Sequence, residues 1–509
     1  AEQIFAPRRI VEVAIEMKED DWRALCAQNR NFVSALGGTG EDKPFSYFSA
    51  DVTIDGKKIS NVGVRKKGFL GSLDAVRPSL KIKFDEYQKQ KVGVGFDRLT
   101  LNNNKQDSSR LTQYLSYKFF NDSGTVASRC NFARVSVNGK PLGIYSNVES
   151  VEEPMLAARF GDGSGPLYEG TTTDLFPGAV DRFEAKNKAA KEREINRLAE
   201  VLDRDELVLA DVEQLLDLKA FVRFWATESL IGFWDGYTLN QNNYFVYRSP
   251  RTGKWLFLPW GLDSAFTESI PLPSLKSVNK SVYANSQLAN RLYRIPEVQK
   301  MYVETMRELL KHWNEEELLA DVEATATLLR EDAQTKTPEF ERRLREIRTF
   351  IRGRRATIER ELERGVLTIN HGARRTISVE KLGKATGSFK TKWNERTPAT
   401  PTASGQTDLS VELNGAPVEF SKLGVTAEPG KDPNSREADG RMPPTVVFHG
   451  VRKSDQKSWM LAVGTTSESF RPSPKPATVG GIIIEGSPLL FLAKMIAGLL
   501  ARARATATR

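Results

Sequence analysis

The stretch WDGYTLNQNNYFVYRSPRTGKWLFLPWGLD, residues 234–263, contains a predicted β-hairpin with polar residues at both ends. The hairpin strands, 244–247 and 255–258, are apolar and aromatic, and a Pro/Gly-containing turn separates them. Asp235 precedes the hairpin and Asp263 follows it. Carboxylate and amide oxygens suit Mg²⁺, and phosphoryl transfer also requires an aspartate near the attacking hydroxyl. Asp and Asn are common turn residues as well, so spacing alone leaves a purely structural explanation open.

Upstream of this stretch, strand patterns alternate with short helices over residues 10–160 and predict a β-rich first lobe. Asp55-Gly56 and Asn138-Gly139 each separate two strand-like runs, because such pairs supply the positive φ angles of tight hairpin turns. A helix is predicted between the two hairpins, from Asp107 to Asp122, where apolar residues recur at helical spacing. This helix is expected to pack against the sheet.

Downstream, the sequence is predicted to be mostly helical from Glu184 onward. Helices are expected at 218–233, 298–310, 315–329 and 338–363. The composition then changes, and a domain boundary is placed near Gly365. Residues 366–475 predict a small β-rich domain with strand-like pieces at 367–370, 409–413, 445–449 and 459–463, and with mobile Pro/Thr/Ser-rich loops at 397–404 and 429–444.

Composition permits an enzyme and excludes several other classes. Apolar residues make up 39% of the 509 residues and charged residues 27%, as in soluble globular proteins. The net charge of +9 is a small excess of 74 basic over 65 acidic residues, which permits anionic partners without requiring them, and no nucleic-acid partner is expected. Cys26 and Cys130 allow at most one disulfide. The three histidines have no zinc-ligand spacing, so any metal must use oxygen ligands.

The two ends of the chain bear on its location. No charged-then-apolar leader stands at Ala1, which suits a mature or trimmed product, and a secreted or cell-envelope location is favoured over the cytoplasm. Residues 476–509 form an apolar and basic tail. Its run 481–501 is interrupted by Glu485, Pro488 and Lys494. An amphipathic or docking helix is therefore favoured over a membrane span, and membrane association of the tail is not favoured.

Five blocks of sequence, in order, resemble the CotH kinase family, whose members are similar to spore coat protein H. The blocks cover about 350 residues: Val62 to Phe69, Pro78 to Asp85, Leu99 to Asn103 with Asp107-Ser108-Ser109, Phe132 to Glu149, and Asn243 to Asp263. The resemblance implies an α/β (α+β) fold, an atypical protein-kinase-like domain over residues 1–365. Its β-rich N-lobe would span about 1–150 and its helical C-lobe about 151–365.

The resemblance also implies roles for the residues around the hairpin. Asp235 resembles the catalytic aspartate that orients the substrate hydroxyl and accepts its proton. Asn243, or failing that Asn240 or Asn242, resembles the catalytic-loop metal ligand. Asp263 resembles the second metal-binding aspartate, which holds Mg²⁺, or Mn²⁺, on the phosphates of ATP.

Four further residues are implied to bind ATP. Lys81 lies on a predicted strand after Pro78, where its charge could neutralise phosphates, and Lys83 is its rival on the same strand face. An edge strand guarded by lysines would explain the pair equally simply. Glu149 could line the nucleotide cleft or anchor the lysine, or else cap the following helix. Arg65, in the first block, completes the set.

The function implied is transfer of the ATP γ-phosphoryl group to Ser or Thr hydroxyls of a protein substrate. Gly261 stands where many family members have Asp, and Asp235 and Asn243 are farther apart than in the kinase catalytic loop. A catalytically weak or inactive surface- or matrix-binding protein is therefore the alternative. Another nucleotidyl or group transferase on the same fold is a third hypothesis, because fold does not determine reaction.

Overall fold

The structure is a computed structural model, and the chain divides in it into two compact units. One unit comprises Ala1–Gln28, Thr39–Lys67 and Arg77–Ile377, and the other Asn29–Gly38, Gly68–Val76 and Ser378–Arg509. The described residues are 3–28, 45–68, 72–90, 96–271, 279–332, 335–365, 367–369, 371–374, 383–392, 402–413, 416–431, 441–454, 458–464 and 481–485.

The first unit begins with a closed β-barrel. Its strands follow the order β1-β2-β3-β4-β5-β7-β6, and β6 closes the barrel by pairing in parallel with β1. The strands are β1 Ile10–Glu16, β2 Phe48–Ile54, β3 Lys57–Lys67, β4 Ser79–Lys83, β5 Arg98–Asn102, β6 Cys130–Val137 and β7 Lys140–Val148. Both predicted turns are confirmed, with positive φ at Asp55, Gly56, Asn138 and Gly139.

Alternation along the barrel strands separates an apolar interior from a charged outer face. Side chains on a strand point to opposite faces in turn. Val64, Leu80 and Ile82 are fully buried in the barrel core. The intervening residues Arg65 and Lys81 are only partly buried and form a cross-strand pair. The face of the barrel that carries these two cations belongs to the candidate site.

The remainder of the first unit combines helices with a four-stranded sheet of order β11-β10-β8-β9. The strands are β8 Leu167–Gly170, β9 Glu184–Ala185, β10 Tyr244–Arg248 and β11 Trp255–Pro259. The helices are α1 Glu19–Ala27, α2 Thr112–Asp122, α3 Glu153–Phe160, α4 Ile195–Asp203, α5 Leu209–Leu215, α6 Leu218–Leu230, α7 Tyr237–Asn240, α8 Gln287–Leu292, α9 Pro296–His312, α10 Glu315–Leu329 and α11 Pro338–Glu363. The fold is thus mixed α/β, as expected.

The described strands of the second unit form two antiparallel sheets. One has the order β12-β13-β14 and the other β15-β16-β17-β18. The strands are β12 Gly383–Lys392, β13 Thr402–Leu413, β14 Ala416–Val418, β15 Phe420–Lys431, β16 Arg441–Arg452, β17 Ser458–Gly464 and β18 Gly481–Glu485. The strand pieces expected at 409–413, 445–449 and 459–463 lie within β13, β16 and β17 and are confirmed.

Several local predictions were wrong. Helix α2 begins at Thr112 and not at Asp107, because the Asp107 carboxylate accepts hydrogen bonds from the backbone N–H groups of Ser109 (3.0 Å) and Thr112 (2.8 Å) and so precedes the helix. Helix α6 ends at Leu230, three residues before the expected end. Residues 367–369 are not a strand.

The loops and the tail predicted in the second unit are also partly corrected. Residues 402–404, 429–431 and 441–444, expected in mobile loops, are strand, and the rest of those loops lies outside the described residues. Gly481–Glu485, expected to begin a helix, pairs with β17 because three consecutive isoleucines favour a strand. Residues 486–509 lie outside the described part. No helix in the described part is long and apolar enough to cross a membrane.

Candidate active site

Asp235 lies in the turn after α6 and receives hydrogen bonds from three asparagine side chains. Asn240 Nδ2 donates to Asp235 Oδ1 at 2.6 Å, and Asn242 Nδ2 donates to the same oxygen at 3.2 Å. Asn243 Nδ2 donates to Asp235 Oδ2 at 2.9 Å. Burial raises the pKa of Asp235, and the three asparagine contacts oppose that rise. The carboxylate is therefore held in one orientation by neutral donors.

Glu228, on α6, binds the start of α7, directly after the turn that contains Asp235. Its carboxylate accepts hydrogen bonds from the backbone N–H of Tyr237 (3.0 Å) and of Thr238 (2.9 Å), which begin α7. A side chain at Gly236 would clash with the same carboxylate, so a glycine is required there. Burial raises the pKa of Glu228 to about 7, although the contacts from Thr238 and Tyr237 lower it. The helix and the loop are thereby joined by a buried capping contact.

The β10–β11 hairpin brings residues 240–243, which contain the three asparagines, next to the segment that carries Asp263. Tyr244 pairs with Pro259, so Asn243 and Trp260 stand opposite each other, and Trp260 N–H donates to Asn243 O at 3.0 Å. The next residue, Gly261, has φ +56°, and a Cβ there would lie 2.8 Å from Asn243 Oδ1. The amide oxygen of Asn243 thus faces the Gly261 turn.

Asp263 is buried in the 3₁₀ turn Leu262–Ser264 that follows the hairpin. Burial raises its pKa to about 7, and the negative charges of Asp235 and Asp107 raise it as well, whereas Lys67 lowers it. Two predicted site aspartates, Asp235 and Asp263, are therefore close enough to interact electrostatically. Such a buried pair is stabilised by a cation.

Lys67, the last residue of β3, is the cation that interacts with Asp263. Its ammonium lies 5.8 Å from the ring centroid of Trp260. Burial lowers the pKa of Lys67 to about 8, while the charges of Glu169 and Asp263 raise it. No role for Lys67 was predicted from the sequence. Lys67 follows Arg65 by two residues on β3, so the two side chains point to the same face of the strand. This spacing was the feature of the sequence that could have identified Lys67.

Lys81 and Lys83 share a face of β4, as predicted, but have different partners. Lys81 Nζ lies 3.0 Å from Glu152 Oε1, and burial lowers the pKa of Lys81 while Glu152 raises it. Lys83 Nζ lies 2.7 Å from Glu86 Oε2, a hydrogen bond that raises its pKa. The charge of Lys81 lowers the pKa of Lys67 and that of Glu169.

Glu149 and Arg65 occupy different surroundings. The buried Glu149 carboxylate accepts hydrogen bonds from the backbone N–H and the Nε of Arg129, both at 3.0 Å, so its described partner is an arginine and not Lys81. The carboxylate that contacts Lys81 belongs to Glu152, which was not predicted from the sequence. Arg65 lies beside Lys81 across the β3–β4 pair, and its guanidinium stands 5.4 Å from the ring centroid of Tyr47.

A second acid–base pair lies on the four-stranded sheet. Glu169 Oε2, on β8, lies 2.7 Å from Lys186 Nζ. Burial raises the pKa of Glu169, but Lys186, Lys81 and Lys67 lower it, and the net shift is downward. Lys67 and Lys81 of the barrel thus share one electrostatic cluster with Glu169 and Asp263.

Among the described residues, no group of three or more His, Cys, Asp or Glu side chains could hold a metal ion. A site for Mg²⁺ needs fewer protein ligands, because this ion is commonly bound by one or two carboxylates together with substrate phosphates and water. Asp263, Asp235 and the amide oxygen of Asn243 are hard oxygen donors of that kind. The residues present therefore fit the oxygen ligands of a divalent cation.

Comparison with known proteins defines the family. A family model described as CotH kinase protein matches residues 64–358, more than half of the chain. The chain belongs to this CotH kinase family. Asp235, Asn243, Asp263, Lys67 and Lys81 all lie inside the matched range.

The similar curated proteins come from a fungus and a bacterium. Invasin CotH2 of Rhizopus delemar is 26% identical over 193 residues, which are 34% of this chain and 32% of the invasin. Inner spore coat protein H of Bacillus subtilis is 24% identical over 242 residues, 44% of this chain and 65% of that protein. The chain therefore spans about a third of the invasin and just under two thirds of the spore coat protein.

A solved structure, that of the Helicobacter pylori proinflammatory kinase CtkA, is also similar to this chain. The TM-score is 0.28 and the sequence identity 11%, with 60% of this chain and 95% of that chain covered.

Proposed function

We propose that this CotH kinase family member transfers the γ-phosphoryl group of ATP to a Ser or Thr hydroxyl of a protein. The single observation that carries the proposal is the arrangement of opposite charges at one site. Asp263 and Asn243 offer oxygen ligands beside Asp235, and Lys67 and Lys81 of the barrel supply positive charge toward the same cluster. Phosphoryl transfer depends mainly on positioning and on neutralising phosphate charge, which this combination can provide.

The acidic residues would hold a divalent cation, Mg²⁺ or Mn²⁺. Asp263 and Asn243 are the proposed ligands, and the raised pKa of Asp263, about 7, supports them, since burial and the nearby Asp235 leave its negative charge under-compensated. The bound ion would neutralise charge on the phosphate oxygens.

Lys67 and Lys81 would bind the phosphates. Burial lowers the pKa of both lysines because it removes the water that stabilises their charge. A bound phosphate would stabilise each charge in place of that water. Glu152 would orient Lys81. Arg65, beside Lys81, and Lys83 and Glu149, farther along the sheet, stay predicted nucleotide contacts with weaker support.

Asp235 would orient the acceptor. In the proposed step the acceptor oxygen forms a bond to Pγ while the bond between Pγ and the β–γ bridging oxygen breaks, and ADP leaves. The hydroxyl proton passes to Asp235 late in the step. The three asparagine donors would hold the carboxylate toward the acceptor.

A surface- or matrix-binding protein with weak or absent catalysis is the second candidate. The names of the relatives, an invasin and an inner spore coat protein, favour it, and they also favour a cell-surface or cell-envelope location for this chain.

Labelled ATP separates these functions from each other and from nucleotidyl transfer. The full chain is incubated with candidate acceptor proteins and ATP labelled on the γ or the α phosphate, with and without Mg²⁺ or Mn²⁺. Metal-dependent transfer of the γ label alone is expected. Transfer of the α label would indicate a nucleotidyl transferase, and no transfer would support the binding protein.

Two variants then test the roles of the aspartates. Asp235→Asn removes a group that acts on the acceptor, so it should retain metal-dependent binding of an ATP analogue and lose transfer, by about 10²-fold or more. Asp263→Asn should weaken binding as well. Equal binding losses in calorimetric titration would contradict this division.

A further inference from the structure

Arg374 lies outside the matched family range of 64–358 and contacts the loop that carries Asp235. Its Nε donates to Gln241 Oε1 at 3.0 Å, and one terminal nitrogen donates to both Asn240 O and Asn240 Oδ1 at 2.8 Å each. In return, Gln241 Nε2 donates to the backbone oxygen of Arg374. The guanidinium of Arg374 thus bridges two consecutive residues of the loop.

The contact with Asn240 determines which end of that amide faces Asp235. An amide side chain has a donor end and an acceptor end. Because Asn240 Oδ1 accepts from Arg374, its Nδ2 is directed to Asp235 Oδ1 at 2.6 Å. A flipped amide would place its NH₂ group against the guanidinium and its oxygen against the carboxylate. Arg374 thus controls a direct hydrogen bond to Asp235.

The loop conformation needs such support. Gln241 and Asn243 have φ +55° and +54°, in the left-handed region that non-glycine residues occupy only when their surroundings hold them there. The Gln241 side chain is held from two sides, by Arg374 and by the buried Asp174, whose Oδ2 accepts from Gln241 Nε2 at 2.8 Å. Truncating the Arg374 side chain removes the contact with Gln241 Oε1 and leaves only the contacts of Gln241 Nε2 with Asp174 and with the Arg374 backbone oxygen.

The segment that carries Arg374 is held within the first unit by hydrogen bonds of its backbone. Arg374 N–H donates to Asn285 O at 2.7 Å. The backbone oxygen of His371 accepts from Asn290 Nδ2 at 3.1 Å and from an Arg294 terminal nitrogen at 3.0 Å. These contacts fix the backbone of residues 371–374, so the guanidinium is presented from a defined position.

We propose that Arg374 is a positioning residue for the transfer reaction and that residues 371–374, beyond the matched family range, complete the active site. The inference rests on the proposed function and deepens it. Arg374 acts through Asn240 and Gln241 on the orientation of Asp235 and does not contact the nucleotide. Its loss should therefore lower kcat and leave the affinity for ATP almost unchanged.

The test compares three variants of the full chain. Arg374→Ala removes the contact, and Arg374→Lys keeps the charge, but an ammonium cannot reproduce the planar fork that bridges Asn240 and Gln241. Arg355→Ala is the matched control, since Arg355 also binds backbone oxygens, those of Leu310 (2.6 Å) and Trp313 (2.8 Å), away from the loop. We expect kcat to fall about tenfold to a hundredfold in both Arg374 variants, with KM for ATP within about twofold of wild type.

Chemical rescue and hydrogen exchange separate positioning from general destabilisation. Guanidinium at a sub-denaturing concentration should restore part of the kcat of Arg374→Ala. It should not raise the kcat of Arg355→Ala. The backbone N–H groups of residues 236–243 should exchange faster in Arg374→Ala than in wild type. An unchanged kcat in Arg374→Ala, or a loss that guanidinium does not restore, would overturn the proposal. If wild type itself transfers no phosphoryl group, the proposed function fails, and unchanged exchange of residues 236–243 would then overturn the positioning role separately.

Discussion

At the scale of single residues, the site contains aspartates and lysines whose charged forms are destabilised by burial. Burial raises the pKa of Asp263 to about 7 and lowers the pKa of Lys67 to about 8. The negative charge of Asp263 and the positive charge of Lys67 stabilise each other, yet this interaction does not fully offset the burial of either charge. A ligand that carries both a cation and phosphate oxygens would compensate both, which is the physical basis of the proposed nucleotide site.

Lys67 should contribute to nucleotide binding at least as much as Lys81. Lys81 is already paired with Glu152, whereas Lys67 interacts with Asp263 over the ring of Trp260. Lys67→Met should weaken binding of an ATP analogue with Mg²⁺ by roughly tenfold or more, the usual size of a charge-assisted contact. Calorimetric titration measures the affinity.

Lys83→Met is the matched control for this experiment, because Lys83 is held by Glu86 at 2.7 Å on the same strand face. Its affinity should fall much less than that of Lys67→Met, because the charge of Lys83 is already paired with that of Glu86. A normal affinity in Lys67→Met together with a large loss in Lys81→Met would return the phosphate-binding role to Lys81 alone.

At the scale of elements, the β10–β11 hairpin determines the geometry between Asn243 and Asp263. Antiparallel pairing places Asn243 opposite Trp260, and the Gly261 turn then leads directly to Asp263. The close approach of Gly261 to Asn243 Oδ1 leaves no room for a side chain. An Asp at position 261 would therefore require a different placement of the Asn243 amide.

Gly261→Ala should consequently weaken metal-dependent nucleotide binding as well as stability. Its Cβ would lie 2.8 Å from Asn243 Oδ1 and would displace a proposed metal ligand. Gly253→Ala is the control, since Gly253 also has a positive φ, +69°, but its nearest neighbour would be 3.9 Å away.

Both glycine variants should lose about 1–2 kcal/mol of unfolding free energy from backbone strain. Only Gly261→Ala should also bind the nucleotide analogue more weakly, by roughly tenfold. Thermal unfolding and calorimetric titration give the two quantities. Equal affinities in the two variants would show that Asn243 Oδ1 does not contribute to the site.

At the scale of the whole molecule, the site makes folding dependent on pH. Asp263 has a folded pKa of about 7 and an unfolded value of about 3.9, so the native state binds more protons between these values. The free energy of unfolding should therefore fall as pH rises through this window and level off above about pH 7. Glu228, with a pKa of about 7, contributes in the same direction.

Asp263→Asn should abolish the part of this pH dependence of the unfolding free energy that comes from Asp263. Between pH 5 and pH 8, wild type should lose on the order of 2 kcal/mol more unfolding free energy than the variant, as urea titrations can measure. Asp51→Asn is the control, because hydrogen bonds from Lys58 and Asn61 lower the pKa of Asp51 and its contribution is lost only at more acidic pH. Parallel curves for wild type and Asp263→Asn would contradict the raised pKa.

Local physics explains what could be predicted from the sequence. Asp-Gly and Asn-Gly pairs favour tight turns, alternating apolar residues define strands, and amphipathic periodicity defines helices, so the barrel hairpins and the helices α9 to α11 were predictable from their own residues. The order of Asp235, Asn243 and Asp263 around one hairpin was also visible, since the hairpin itself brings them together.

Tertiary structure alone decided the partners that come from distant parts of the chain. Glu152 rather than Glu149 meets Lys81, Lys67 rather than Lys83 joins the cluster with Asp263, and Arg374 contacts the loop of Asp235 from more than a hundred residues away. Strand parity could indicate the face of a lysine but not which carboxylate stands across from it. Such pairings depend on how the barrel, the helices and the segment after α11 pack together, and no local pattern encodes that packing.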